Sequence, residues 1–391
     1  MSGVFLTLNA GSSSIKFAVY DAHDPSPAPR LGGKIAGIGS APVFAARDAS
    51  GAAVDKGALA ALDQDASHDA LIALLLPWIA AHQNGAVPLA VGHRVVHGGQ
   101  DFIAPTVVDE AILTRLETLN PLAPLHQPHN LGAIRAVANL YPDIPQIACF
   151  DTAFHHTQDR LAKLFALPRD LTDQGIIRYG FHGLSYDYIA STLPTHLPEA
   201  RRVVVAHLGN GASMCAMRDG KSMATSMGFT ALDGLMMGRR CGALDPGVIL
   251  YLMQSEGMSP EAIKDLLYNQ SGLYGVSQIS NDMQILQDAN TPEAEEAIAL
   301  YCYRAAGVLA GLLPAIGGLD ALVFTAGIGE NAPLVRRKIC EHLRWLGVAI
   351  DNAANAENAT TISAPQSQVS VLVIPTNEEA VVANACRALV L

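Results

Sequence analysis

Three short segments combine glycine with small polar residues in a way that suits phosphate binding. They are residues 9–16 (NAGSSSIK), 207–213 (HLGNGAS) and 326–331 (AGIGEN). Glycine lets backbone N–H groups approach phosphate oxygens, and hydroxyl and lysine side chains add further donors. Any one of these segments is equally consistent with an ordinary tight turn. Three in one chain favour a ligand that carries phosphate.

Two known phosphate-binding patterns compete for these segments. Residues 220–222 (GKS) resemble the end of a Walker A loop, but Cys215 stands where that loop requires its first glycine. Residues 327–332 (GIGENA) match a dinucleotide-binding pattern between a predicted strand and a predicted helix, and Asp351 follows a plausible next strand. A nicotinamide-dependent dehydrogenase therefore stays open as an alternative, although Glu330 would place a carboxylate beside the pyrophosphate.

Histidines and arginines are concentrated in apolar, glycine-rich segments, namely residues 93–99, 122–128, 149–156, 179–183 and 237–242. Isolated histidines are more often core or surface groups than catalysts. A zinc protease site is disfavoured because Arg94 stands where the His-Glu-x-x-His motif has glutamate. The planar fork of arginine suits carboxylate and phosphoryl oxygens, so arginines flanked by glycine are the better candidates for function.

Length and charge limit the class of protein. The 391 residues predict two or three domains, and 50% hydrophobic against 16% charged residues predict a well-packed globular protein. The net charge of -11 argues against nucleic-acid or anionic-membrane partners, so local groups must hold any anionic ligand.

Cysteine spacing and hydrophobic runs indicate the compartment. The six cysteines include no Cys-x-x-Cys pair, so we expect reduced thiols in a cytoplasmic protein. The longest hydrophobic run, residues 71–81, is about half a membrane span and contains Pro77. We expect neither secretion nor membrane insertion.

Segments rich in Val, Ile and Phe alternate with helical patterns, which predicts an α/β protein with mixed sheets. Predicted strands cover residues 4–8, 90–96, 146–150, 203–208, 321–325 and 369–374. Predicted helices cover residues 260–268, 292–313 and 332–345, the last with Asn331 as its N-cap. Residues 28–69 show no strong periodicity and are expected to form loop or edge structure.

The chain repeats a pattern at an offset of 200 residues. Val4, Leu8, Gly11 and Ser13 recur at positions 204, 208, 211 and 213. Each copy is an apolar strand, a small-residue turn and a second strand. The repeat predicts two duplicated domains with equivalent glycine-containing turns.

Eight segments, in order along the whole chain, closely resemble the acetate kinase family: residues 9–16, 92–99, 122–126, 150–155, 178–183, 206–211, 327–331 and 375–379. The resemblance implies an α/β fold of duplicated actin-like (ribonuclease H-like) domains with mixed central sheets and an interdomain nucleotide cleft. It implies a first domain of residues 1–150 plus 378–391. Residues 151–377 would form a second domain for nucleotide binding and dimerisation.

The resemblance also implies direct in-line phosphoryl transfer, ATP + acetate ⇌ ADP + acetyl phosphate, by a homodimer with Mg²⁺ or in its place Mn²⁺. The implied catalytic residues are Arg94, His126, Asp151, His182 and Arg240. The implied acyl pocket, with Arg94, consists of Val96, Leu125, Phe181 and Ala231. The implied metal positions are Asn9 and Glu378.

The implied nucleotide contacts fall in four segments. They are Ser12, Ser14, Lys16, His207, Leu208, Gly209, Asn210, Gly211, Asp282, Met283, Gln284, Gly327, Ile328, Gly329, Glu330 and Asn331. Acetate is already ionised near neutral pH, so we expect Asp151 to orient an arginine or a magnesium-bound water and not to act as a base.

Three segments depart from the family pattern. Residues 237–246 (MGRRCGALDP) replace Met-Gly-Thr-Arg-Ser-Gly-Asp-Ile-Asp-Pro, which places Arg239 beside Arg240. Gln284 stands where the family has arginine, and Ala231 stands where it has proline. A propionate or other short-chain acyl kinase therefore remains the near alternative, and an ATP-driven binding protein of the Hsp70 type is the non-enzyme alternative.

Overall fold

The computed structural model describes residues 3–24, 28–83, 85–124 and 126–391. The chain divides into two compact units. Unit 1 is Met1–Phe154 with Asn377–Leu391, and unit 2 is His155–Thr376. Each is described by itself.

Unit 1 contains a mixed sheet. Its strands are β1 (Val4–Ala10), β2 (Ser14–Asp21), β3 (Leu31–Ala36), β4 (Val43–Asp48), β5 (Ala90–Val95), β6 (Thr106–Val107) and β7 (Gln146–Phe150). The strand order is β4-β3-β2-β1-β5-β7-β6, with β1, β5 and β7 parallel to one another. Its helices are α1 (His68–His82), α2 (Glu110–Glu117), α3 (Gln127–Leu140) and α15 (Glu378–Val390).

The sheet of unit 1 is covered on both faces. Alternate residues of β2 and β3, such as Phe17 and Ile35, are buried in a core with α1 and α3, because successive strand residues point to opposite faces. On the other face α15 packs against β1 and β5. A Cβ atom at Gly92 would lie 2.4 Å from Val382 Cγ1, so glycine at this position lets α15 approach the sheet.

The boundary between the units falls later than residue 150. Asp151 extends the pairing of β7 with β5, since its N–H donates to Val95 O at 3.1 Å. Gly98 N donates to Thr152 Oγ1 at 3.0 Å. These bonds join residues 151 and 152 to unit 1, which extends to Phe154, whereas we expected residue 151 to begin the second domain.

Unit 2 contains a second mixed sheet of β8 (Arg202–Leu208), β9 (Ala212–Arg218), β10 (Lys221–Thr225), β11 (Ala321–Thr325) and β12 (Ser370–Val373). The strand order is β10-β9-β8-β11-β12. Its helices are α4 (Arg160–Lys163), α5 (Arg169–Asp173), α6 (Gly183–His196), α7 (Pro246–Gln254), α8 (Pro260–Asn269), α9 (Gly272–Ser277), α10 (Met283–Ala289), α11 (Pro292–Leu312), α12 (Ala326–Asn331), α13 (Pro333–His342) and α14 (Asn352–Ala356).

The two sheets share one topology. The order β3-β2-β1-β5-β7 in unit 1 matches β10-β9-β8-β11-β12 in unit 2. In both, the first two pairings are antiparallel and the last two are parallel. The duplication predicted from the 200-residue repeat is confirmed.

The six predicted strands correspond to β1, β5, β7, β8, β11 and β12. The prediction of Asn331 as an N-cap is wrong. Residues 326–331 form α12 directly after β11, and the N-cap of α13 is Ala332, whose side chain cannot accept a hydrogen bond. Residues 28–69 contribute β3 and β4 at one edge of the sheet, where glycines in β3 had hidden the alternation.

One helix of the described residues is long and apolar enough to cross a membrane by length and composition alone. It is α11 with the 3₁₀ turn that follows, and it packs against α9, α10 and α13. Its buried residues include Ala297, Tyr301 and Leu309. These contacts are typical of a core helix.

Candidate active site

The carboxyl ends of three neighbouring strands place an arginine between polar side chains in unit 1. Arg94 is on β5, Asn9 is on β1, and Asp151 directly follows β7. Arg94 Nε donates to Asp151 Oδ1 at 3.1 Å and Nη2 donates to Oδ2 at 2.5 Å. Arg94 Nη1 donates to Asn9 Oδ1 at 3.1 Å. The parallel strands thus fix the guanidinium of Arg94 at their shared carboxyl end.

Glu378, at the start of α15, is the second acid near Arg94, with Oε2 3.8 Å from Arg94 Nε. Burial acts to lower the pKa of Arg94, but the charges of Asp151 and Glu378 outweigh it and raise that pKa above its ordinary value. Burial raises the pKa of Glu378 despite the opposing charge of Arg94. Arg94 is therefore permanently charged, whereas Glu378 can take up a proton more readily than an exposed glutamate.

The chain after β5 is held by side-chain amides of α3. Asn130 accepts from Val96 N at 2.9 Å and donates to Ala10 O at 2.6 Å. Gln127 bonds both His97 N and His97 O. Val96, an expected wall of the acyl pocket, is buried. This network fixes the ends of β1 and β5 relative to each other.

Two expected site residues lie at the start of α3. His126 is the half-buried residue before the first helical residue, and its backbone N–H donates to Ala123 O at 3.0 Å. Leu125, expected in the acyl pocket, lies outside the described residues.

The turn between β1 and β2 carries the expected serines and lysine. Ser12 is exposed, Ser14 is half-buried, and Gly11 N donates to Ser14 O at 2.8 Å. Lys16 is exposed and lies directly across from Asn9 in the antiparallel pair. The expected metal and phosphate groups of unit 1 therefore share one end of this hairpin.

Two stacked imidazoles are the centre of the expected site in unit 2. His182 and His207 have ring centroids 4.2 Å apart. His182 Nδ1 lies 2.8 Å from Ser213 Oγ, and His207 Nδ1 lies 2.8 Å from Ser185 Oγ. His182 adopts a left-handed φ of 59° immediately before α6. The serine hydroxyls orient both rings.

Arg240 and His182 meet over a glycine. A Cβ atom at Gly211 would lie 2.7 Å from Arg240 Nη2 and 3.4 Å from His182 Nε2, so a larger residue would displace the arginine. Arg240 Nη1 donates to the carbonyl of Ala231. Burial lowers the pKa of Arg240, and it makes no ion pair with any carboxylate that the structure describes.

The neighbouring Arg239 has different surroundings. It is exposed, and its guanidinium carbon lies 5.0 Å from the centroid of the Tyr274 ring. Such a cation-π contact contributes stability at a surface site. Arg239 therefore contacts the Tyr274 ring, whereas Arg240 lies beside His182.

Phe181 is an expected wall of the acyl pocket. Its backbone carbonyl contacts the buried His155, which was not among the expected site residues. His155 Nε2 lies 3.0 Å from Phe181 O, and Nδ1 lies 2.9 Å from Ser222 Oγ. Burial lowers the pKa of His155 to about 4, so the ring is neutral at physiological pH. The sequence signal was its place in the segment 150–155.

A cleft of 480 Å³ in unit 2 brings together eight of the thirteen nucleotide contacts expected in that unit. It is lined by Gly209, Asn210, Asn281, Asp282, Met283, Gln284, Gln287, Gly327, Ile328, Asn331 and Ala332. Asn281, Gln287 and Ala332 were not expected. His207, Leu208, Gly211, Gly329 and Glu330 were expected but do not line this cleft.

Helix α10 and its N-cap present three polar residues to the cleft, Asp282, Gln284 and Gln287. The Asp282 side chain accepts from Gln284 N at 2.8 Å and from Ile285 N at 3.2 Å, which caps the helix. Gln284 Nε2 donates to Asp288 Oδ1 at 3.0 Å. An amide thus stands where the resemblance implies a guanidinium.

Comparison with known proteins decides the family. A family model described as the acetokinase family matches residues 4–384. The chain belongs to the acetokinase family. An acetate kinase of Rhodopseudomonas palustris is 54% identical over 391 residues, which cover 98% of each chain. An acetate kinase of Methylocella silvestris is 47% identical and covers 100% of this chain and 98% of its own.

Solved acetokinase structures share the fold. A propionate kinase from Francisella tularensis matches with a TM-score of 0.91 and 35% identity, covering 98% of both chains. The acetate kinase of Porphyromonas gingivalis matches with a TM-score of 0.87 and 34% identity, also over 98% of both chains. The duplicated actin-like architecture expected from the sequence is therefore confirmed.

In this chain residues 327–332 (GIGENA) do not form a dinucleotide-binding loop. Glu330 Oε1 accepts from Ala326 N at 2.7 Å and from Thr376 N at 3.1 Å. The Glu330 carboxylate thus lies at the N-terminus of α12, where a dinucleotide fold places the pyrophosphate. The dehydrogenase alternative is therefore rejected.

A buried arginine supports the same helix. Arg336 donates to Gly329 O at 2.8 Å and to Glu330 O at 2.9 Å, which are carbonyls near the end of α12. It also bonds Asn355 Oδ1 at 2.8 Å. Burial lowers the pKa of Arg336 to about 10. Nothing in the sequence distinguished Arg336 from the adjacent Arg337, since both lie in one helical pattern.

The donors expected to hold a metal fit magnesium chemistry. No group of three His, Cys, Asp or Glu residues in the described part of the chain is arranged to hold a metal ion. Mg²⁺ does not need one, since it is usually bound by one or two protein oxygens together with water and phosphate. Asn9 and Glu378 each direct a side-chain oxygen toward Arg94 and supply oxygens of this kind.

Proposed function

We propose that this protein is an acetate kinase that catalyses reversible, in-line phosphoryl transfer between ATP and acetate. It is a phosphotransferase whose acceptor is a carboxyl group. The observation that carries the proposal is the placement of Arg94 and Arg240 beside the expected acid and histidine in a chain 54% identical to an acetate kinase.

The proposed mechanism depends on positive donors. A transferring phosphoryl group spreads negative charge over three equatorial oxygens, so fixed donors lower the barrier. Arg94 and Arg240 hold the acetate carboxylate and the migrating group, and His182 donates to an equatorial oxygen. His126 is the second histidine among these proposed catalytic residues. Asp151 keeps the Arg94 guanidinium in place and removes no proton, because acetate is already ionised.

The nucleotide occupies the cleft of unit 2 in this proposal. Its lining of backbone glycines and amide side chains supports this assignment. Lys16, Ser12 and Ser14 donate hydrogen bonds to the phosphates of the nucleotide. Asn9 and Glu378 would hold Mg²⁺, or Mn²⁺ in its place, directly or through water, and the ion would supply positive charge against the phosphates.

Propionate is the second candidate acceptor. Ala231 replaces the proline of the family pattern, and its carbonyl accepts from Arg240. Proline to alanine removes about two carbons, room for the extra methylene of propionate, whose burial is worth about 0.8 kcal/mol. The likeness to a propionate kinase structure accords with this candidate.

We also propose that the protein is a cytoplasmic homodimer that associates through unit 2. Helix α7 has no buried residue, although its sequence is almost wholly apolar. Val248, Leu250, Tyr251 and Met253 are between 39% and 56% exposed. Exposed apolar side chains concentrated on one helix are typical of an interface. All six cysteines are free thiols, which supports a reducing compartment.

A hydroxamate assay tests the enzymatic proposal. With ATP, Mg²⁺ and hydroxylamine, the protein should form acetyl hydroxamate from acetate, and Arg240→Ala should slow its formation about tenfold or more. An ATPase that responds to peptides and ignores acetate would instead support the Hsp70-type alternative. Sedimentation at several protein concentrations tests the dimer.

A further inference from the structure

A second groove lies in unit 1, on the face of the sheet that carries α15. It has a volume of 460 Å³ and lies over β2, β3 and β4, beside the start of α15. Ile15, Phe17 and Ile35 point into the core on the opposite face. Because side chains alternate along a strand, Lys16 and Lys34 stand on the groove side.

The groove is strongly basic in an acidic protein. Four cationic residues line it, namely Lys16, Lys34, Arg47 and Lys56. All four are exposed, and none makes an ion pair with the described carboxylates. The one acidic lining residue is Glu379, although the chain has 36 acidic residues against 25 basic ones. The local charge is therefore opposite to that of the whole protein.

Two of the lysines face each other directly. Lys16 of β2 and Lys34 of β3 are partners in the antiparallel register. Like charges at directly opposed positions destabilise a sheet. Charged residues also protect edge strands from association, but here the edge strand is β4, and the two lysines are on strands inside the sheet. Edge protection therefore does not account for the pair.

The floor of the groove is made of small residues. Ala18, Gly32 and Ala45 lie between the cationic side chains on the same face. The Arg47 guanidinium is positioned by a hydrogen bond from its Nη1 to Gly51 O at 2.6 Å, just after β4. A volume of this size is that of a small-molecule site. Lysine ammonium groups around a shallow floor suit the oxygens of multiply charged anions.

We propose that this groove binds a small polyanion, a molecule with two or more phosphoryl or carboxylate groups, at a site separate from the nucleotide cleft of unit 2. Lys34, Arg47 and Lys56 belong to this site alone. Lys16 is shared with the phosphate end of the β1–β2 hairpin. The inference concerns binding and does not depend on the kinase activity.

Titration calorimetry at low ionic strength tests the site with two probes, inorganic tripolyphosphate and citrate, on the full chain. The groove variant is Lys34→Gln with Lys56→Gln. The matched control is Lys221→Gln with Lys264→Gln, which removes the same charge from exposed positions in unit 2. At least one probe should bind the native protein, and its dissociation constant should rise about tenfold or more in the groove variant and stay within about twofold in the control.

The two probes separate the sources of charge, since preference for tripolyphosphate indicates a phosphorylated ligand and preference for citrate indicates a polycarboxylate. Lys34→Gln alone should also raise the melting temperature in the absence of ligand, because it removes the repulsion with Lys16. Equal weakening in the groove variant and the control, or no binding of either probe, would overturn the proposal.

Discussion

Arg94 of β5 and Asp151, which directly follows β7, are joined by two hydrogen bonds although they lie 57 positions apart in the chain. The Asp151 side chain is only 1% exposed. Arg240, in contrast, bonds a backbone carbonyl and makes no ion pair among the described residues. Removal of Arg94 therefore leaves a buried carboxylate without its partner, whereas removal of Arg240 leaves only a backbone carbonyl.

Replacement of either arginine by alanine should slow turnover. A charge-assisted hydrogen bond contributes about 1.5–3 kcal/mol, so Arg94→Ala and Arg240→Ala should each lose about ten- to a hundredfold or more in kcat. Arg239→Ala is the control, since Arg239 lies over Tyr274, and its kcat should stay near native. A dead Arg239→Ala beside a fully active Arg240→Ala would transfer the role to Arg239.

Stability should separate the same two variants. Arg94→Ala leaves the buried Asp151 carboxylate without its arginine, and breaking a buried pair costs about 3–5 kcal/mol. Arg240→Ala leaves no such charge. We expect a clearly larger drop in melting temperature for Arg94→Ala, measured by circular dichroism. Equal drops would show that the Arg94–Asp151 pair adds nothing to folding.

Glu378→Gln should change stability in a pH-dependent way. The folded-state pKa of Glu378 is raised by burial above the ordinary 4.5, so ionised Glu378 destabilises the fold at pH values above the raised pKa. Below pH 4.5 the residue is protonated in both states and the penalty disappears. The variant should therefore melt higher than the native protein at pH 8 and equally at pH 4, while requiring more Mg²⁺ for activity. A variant that melts lower at pH 8 would contradict this sign.

Gln284→Arg should restore a nucleotide contact. The native amide is bonded to Asp288, and arginine at the same position retains that partner one helical turn away. A cation-π or charge contact is worth about 0.5–2 kcal/mol, so the KM for ATP should fall several-fold with little change in kcat. Gln284→Lys is the matched control for charge without the planar fork. An unchanged KM and an unchanged ATP-to-GTP ratio would show that position 284 does not contact the base.

Ala231→Pro should shift acyl preference toward acetate. Proline keeps the carbonyl that accepts from Arg240, so the change affects mainly the volume of the expected pocket. Loss of room for one methylene corresponds to about fourfold in the ratio of kcat/KM for propionate to that for acetate. If the ratio stays unchanged, neighbouring groups have already filled the space and Ala231 does not determine specificity.

The sequence predicted most of the fold because its signals were local. The strands were apolar runs, and the hairpin of residues 4–20 recurred at 204–217 as an equally apolar repeat. The start of α13 was missed because the capping rule was applied to Asn331, although Glu330 and Arg336 stabilise a short helix there. These two contacts span only four and six positions, but neither follows the N-cap pattern that the prediction used.

The site was predicted as residue identities and not as contacts. Resemblance gave Arg94, Asp151 and Asn9, but the bonds among them depend on the parallel pairing of β1, β5 and β7. His155 and Arg336 act through buried hydrogen bonds to backbone carbonyls. Burial decides whether such residues pair with carbonyls or with solvent, and burial follows from the assembled core.

Because α15 completes unit 1, this unit is discontinuous in the chain. Phe5, Gly92 and their neighbours on β1 and β5 are covered by a helix that is synthesised after unit 2, whereas unit 2 is one continuous stretch. On the ribosome, unit 2 can therefore fold while the apolar face of the first sheet is still bare. That face is closed only when Val382 and Cys386 of α15 have been synthesised and pack against Gly92.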